Sequence, residues 1–125
     1  MIDAQGIREI IATYHEYGWI LRRVLLSAAL SEKLGKDKVT IFGDVAITDS
    51  AMDAAWFSRP PKSGGVAWEI RYLGDIPYAL LEKADEKDPE FENVLRGVES
   101  RLRESIAEKE TLTTAFRDSK LNPLT

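Results

Sequence analysis

The stretch Pro60-Pro61-Lys62-Ser63-Gly64-Gly65 is incompatible with a continuing strand or helix. Its prolines lack a ladder donor and its glycines admit positive φ. On either side lie segments rich in aromatic and apolar residues, Asp53 to Arg59 and Val66 to Leu73. Two such segments around a short breaker define an antiparallel hairpin, and a hairpin obliges the rest of the chain to supply covering elements. Alternation puts Val66, Trp68, Ile70 and Tyr72 on one face, assigned to the core, and Ala67, Glu69 and Arg71 on the other. Pairing Arg59 with Val66 sets Phe57 opposite Trp68 and Trp56 opposite Glu69, with Arg71 diagonal to Trp56 on the outer face. A slip of one residue stacks Trp56 on Trp68 instead.

Downstream, Gly74-Asp75-Ile76-Pro77 is a turn of hairpin length, and Tyr78 to Glu82 is expected to be a third strand. Asp88-Pro89-Glu90 then has the chemistry of a helix start: a capping carboxylate, proline at the first position, and an acid near the positive end of the dipole. Phe91, Val94, Leu95, Val98, Leu102 and Ile106 recur at helical spacing, continued by Leu112 and Phe116. Glu92 with Arg96 and Glu99 with Arg103 are expected to pair along the wet face of this helix.

Upstream, Ile7, Ile10, Ile11, Tyr14, Gly18, Leu21, Val24, Leu25 and Ala28 also follow three- and four-residue steps. They predict a long first helix, with Trp19, Leu26 and Leu30 as a second stripe. Unbroken from Ala4 to Leu34 it would be about 45 Å long, beyond the roughly 36 Å diameter of a domain this size. It is therefore expected either to project into a partner or to break near Ser27, whose hydroxyl would cap a short helix Ala28 to Leu34 stopped by Gly35. Val39, Ile41, Val45 and Ile47 alternate with polar residues and predict one strand, or two short ones around Gly43-Asp44. The expected fold is α+β: a long N-terminal helix, a small antiparallel sheet of three or four strands, and a long C-terminal helix.

A chain of 125 residues can build one core, so residues 1–125 are assigned to a single domain that folds without a cofactor. The absence of cysteine excludes disulfides, thiolate metal sites and a cysteine nucleophile, and fits a reducing, cytoplasmic setting. No stretch reaches the length of a membrane span. A net charge of -4 and a pI of 5.1 disfavour nucleic acid, because the basic pairs Arg22-Arg23 and Arg59 with Lys62 are too few to offset it.

Chemistry-bearing residues are sparse. His15 is the sole histidine, and spacing brings it neither a nucleophile nor a metal partner. Asp53, Glu69, Arg59, Lys62 and Arg71 on or beside the hairpin are candidate ligand or anion contacts, without the pattern of a phosphate loop. Three tryptophans exceed what a small core needs, so Trp19, Trp56, Leu26 and Arg71 are candidate interface residues. Two functions are consistent with this inventory. The first is a non-catalytic, homodimeric interaction module with a possible second protein partner. In size, acidity and helix-sheet-helix order it is similar to small adaptors, secretion chaperones and immunity proteins. The second is a small-ligand binder or enzyme, with a pocket between sheet and helices lined by Trp68, Tyr72 and Tyr14 and an orienting Arg59 or Arg71.

Overall fold

A computed structural model describes residues 1–60 and 66–121, with side chains to Glu110. The first helix, α1 (Ala4–Glu16), is thirteen residues long. Asp3 caps it by accepting from the Gly6 amide, and Gly18, at φ +86°, ends it. Gly18 N donates to His15 O, and Trp19 N donates to Tyr14 O. This pair of bonds is the Schellman closure, in which glycine takes the left-handed position. The expected long helix is thus corrected: the chain reverses at Gly18 and enters strand β1 (Ile20–Leu26).

Ser27 caps α2 (Ala28–Leu34) through its hydroxyl, as expected, and Gly35 stops it at φ +52°. A third short helix, α3 (Asp37–Phe42), takes the place of the strand expected to start at Val39. One turn delivers both Ile41 and Phe42 to the core, while Val39 points to solvent. Gly43, at φ +63°, ends α3. The remainder of the segment is β2 (Ala46–Asp49), followed by β3 (Ala54–Arg59), β4 (Val66–Tyr72), β5 (Ala79–Ala84) and the 31-residue α4 (Phe91–Leu121).

The α+β expectation holds with a larger sheet of five strands, ordered β2-β1-β3-β4-β5. Only β1 and β2 are parallel, joined through α2 and α3; the other pairs are antiparallel. The two sheet faces carry separate cores. Helices α1 to α3 meet Val24, Leu26, Ala55 and Phe57 on one face. Helix α4 lays Phe91, Leu95, Val98, Leu102 and Ile106 on Leu25, Trp56, Trp68 and Ile70 of the other. A β-bulge in β1 inserts one residue between Leu21 and Arg23. Consecutive arginines thereby reach the same side of the sheet: Arg22 lies over the Trp68 ring and Arg23 over Phe91.

Neither register considered for the hairpin is the one adopted. Arg59 pairs with Ala67, which sets Trp56 opposite Ile70 and Phe57 opposite Glu69. Trp56 therefore joins Trp68 on the α4 face, where the two rings meet edge-on at 6.2 Å. At 0% exposure Trp56 is a core residue, and its indole donates to Glu99 at 2.8 Å. Leu26 is likewise buried against the opposite helices. The helix-surface pairs expected on α4 give way to longer-range partners. Glu92 receives both arms of the Arg23 guanidinium at 2.6 and 2.9 Å, and Glu99 holds Trp56.

Candidate functional site

The site grows out of the turn that ends α1. Because Trp19 N closes on Tyr14 O, the two side chains stand together, with ring centroids 6.2 Å apart at 69°. Tyr14 also stacks flat on Phe57 of β3 at 4.0 Å, which fixes it between helix and sheet. Its hydroxyl hydrogen-bonds with Glu69 of β4. Burial raises the Tyr14 phenol above its ordinary value, the Glu69 hydrogen bond and negative charge raise it further, and Arg71 opposes them. At neutral pH Tyr14 keeps its proton and acts as a donor.

Two cavities flank Tyr14. One, of about 260 Å³, is lined by Gly6, Glu9, Ile10, Thr13, Tyr14 and Arg71. The other, of about 170 Å³, is lined by Thr13, Tyr14, Tyr17, Trp19 and Glu69. Glu69 and Arg71 stand two apart on one face of β4, so their Cα atoms sit about 7 Å apart along the strand. Beside them the α1 side of β4 and β5 lies open. There Glu69 pairs with Leu81, Arg71 with Ala79 and Ala67 with Lys83, and Leu81 is 62% exposed. Among the described residues the helices on this side build their core on β1 and β3, leaving Ala67, Glu69 and Arg71 of β4 half-buried and Leu81 and Lys83 of β5 exposed.

Of the sequence-derived candidates, Glu69, Arg71 and Trp19 converge here, each half-buried. Arg59 stands beside them, its guanidinium 4.9 Å from the Trp19 ring centroid and donating to Tyr17 O at 3.4 Å. Asp53 is elsewhere. Its carboxylate accepts from the Ser27 amide at 2.6 Å and the Ser27 hydroxyl at 3.1 Å, clamping the turn between β1 and α2. Trp68 and Tyr72, expected to line the pocket with Tyr14, belong to the opposite face. Lys62 lies outside the described residues. His15 is exposed on the last turn of α1. Tyr17 and Thr13 were not singled out as pocket residues by sequence reasoning. The signal for them is Gly18, because a helix stop there brings Tyr14, Tyr17 and Trp19 around one corner.

A larger depression of about 750 Å³ borders α2, Lys38 and Asp49. It is an open trough whose lining residues Glu32, Gly35 and Asp49 are exposed, and whose lysine is already bonded to Ser31 at 2.7 Å. It has no aromatic residue in its lining. Among the described residues no three acidic or histidine side chains gather as a metal site, and no helix is long and apolar enough to cross a membrane. No family model, curated protein or solved structure gives a significant match to this chain.

Proposed function

We propose that this protein is a non-catalytic interaction module that docks a segment of a partner polypeptide in the groove between α1 and the open half of the sheet. The observation that carries this is the pair of side-chain-sized cavities on either side of Tyr14, next to a β4 whose neighbour β5 exposes Leu81 on the same side. At about 260 and 170 Å³ each is smaller than the roughly 300–1,000 Å³ of a typical small-molecule site. Individual side chains of a longer ligand match them better. The chemistry of the groove supports binding over turnover, since the raised Tyr14 phenol keeps its proton and serves as a hydrogen-bond donor toward Glu69.

A homodimer belongs to the same proposal, now resting on the length of α4 alone, because α1 ends after thirteen residues. A cytoplasmic setting is supported by the cysteine-free composition. The convergence of Glu69 and Arg71 on Tyr14 favours a second reading, a small zwitterionic ligand bridging the two cavities.

Crosslinking in the native cell, followed by mass spectrometry, tests the first reading. A single partner captured by the wild type, lost with Leu81→Glu and retained with Ile47→Glu on β2, is expected. A partner retained by Leu81→Glu overturns docking on this face, and a copurifying small molecule with no protein establishes the second reading.

A further inference from the structure

Among the described residues the charged side chains that border the aromatic cluster on the α4 side of the sheet have partners in the chain. Arg22 is bound by Ser58 and Glu86, Arg23 by Glu92, and Trp56 by Glu99. The smaller cavity beside Tyr14 is built differently. Three aromatic side chains, Tyr14, Tyr17 and Trp19, and one carboxylate, Glu69, share a space of about 170 Å³. Aromatic faces carry negative charge density and attract cations, most strongly where water is partly excluded.

A carboxylate has about four lone-pair sites, and the Tyr14 hydroxyl uses one of those on Glu69. The carboxylate therefore has capacity beyond Tyr14 for a donor entering the cavity. Arg59 already packs its guanidinium on the Trp19 ring at 4.9 Å, so an entering cation is left Glu69 and the two tyrosines as its main partners.

Resting on the interaction-module reading, we propose that this cavity is the receptor for a single basic side chain, a lysine or arginine, projecting from the docked polypeptide. Its volume admits one head group. Arg71, two residues along β4, repels a cation from the other side of Tyr14 and so fixes the end from which the basic residue enters. The net charge of -4 favours a basic partner over long distances as well.

The test uses the full chain and short capped peptides containing one lysine, one arginine or one glutamate, followed by backbone and indole NMR shifts. The basic peptides are expected to move the Trp19 indole and Tyr17 amide signals, and the glutamate peptide to leave them in place. Glu69→Gln and, separately, Tyr17→Ala should each weaken binding about tenfold, the scale of a partly desolvated cation–aromatic contact. Arg71→Ala should not weaken it. Tyr17 is 67% exposed, so its truncation keeps the fold intact if Glu69→Gln does not. Shifts centred elsewhere, or affinity unchanged by both substitutions, overturn the proposal. A natural partner that binds wild type and both variants equally overturns this cavity assignment alone and leaves the module reading standing. Loss of that partner only with Leu81→Glu likewise overturns the cavity assignment and spares the module.

Discussion

The two faces of the sheet hold similar residues in opposite circumstances. On the α4 face, Trp56, Trp68 and Phe91 interlock edge to face and are sealed by a helix of 31 residues. Their charged neighbours are spent on internal pairs, and the buried Trp68 indole nitrogen has no hydrogen-bond partner among the described residues. On the α1 face, Tyr14, Tyr17 and Trp19 cluster at the C-terminal end of a helix of thirteen residues, and Glu69 and Arg71 stay half-open beside them. Aromatic content therefore does not mark a binding surface. The length of the neighbouring helix goes with whether an aromatic cluster is sealed as core or left half-open.

Substitutions can break this contrast. The largest effect is expected from Trp56→Ala, which empties a fully buried site and deprives Glu99 of its indole donor. It should cost about 3–5 kcal/mol in urea unfolding. Trp19→Ala on the other face should cost about 1–2 kcal/mol by the same measurement, because its side chain is only partly buried. Equal losses would erase the distinction between the faces.

Gly18→Ala comes next. Its added methyl meets only Arg59, at 3.6 Å, so the penalty is backbone strain at φ +86°, about 1–2 kcal/mol, read as a lowered urea midpoint. Ser27→Ala should cost about 1 kcal/mol by losing the α2 cap, with an added penalty from the Asp53 carboxylate.

The smallest effect concerns charge. Hydrogen bonding to Arg23 lowers the Glu92 carboxyl below its ordinary 4.5, with Arg23 and Arg96 charges adding to it and desolvation opposing. A depressed native value means stability present above the unfolded value and lost as pH falls through the native one. Half of the Glu92 side chain is in water, so Glu92→Gln should cost under about 1 kcal/mol at neutral pH despite the two-armed contact. That difference should vanish on acidification below the native carboxyl value. Tyr14 has the opposite sign, since a raised phenol loses stability as pH climbs from about 10 toward its native value. Tyr14→Phe should therefore flatten the alkaline decline seen in urea midpoints.

Much of this was legible in the residues themselves. Ser27 and Gly35 announced the bounds of α2, the proline-glycine stretch separated β3 from β4, and Asp88 prepared the entry to α4. The long first helix misled for a definite reason. The bulge in β1 converts the two-residue period of a strand into the three-residue step from Leu21 to Val24, which imitates a helix. Val39 and Ile41 alternated by accident, one facing solvent and the other the core within a single turn of α3.

Glu69, Arg71 and Trp19 were recognisable as site candidates by type. Trp56 was misplaced because pairing shifted by one residue exchanges the two faces of a strand, and nothing local fixes that register.

The Schellman turn at Gly18 constrains the chain by length as well as by identity. One residue inserted between Asp3 and Tyr14 would rotate Tyr14 by about 100° relative to the cap. Its ring would leave Phe57, and the corner formed with Trp19 would swing off β4 with it. Residue spacing along α1 is therefore under tighter restraint than most of its exposed side chains. Deletions and insertions in this helix should abolish recognition even where they leave a folded protein.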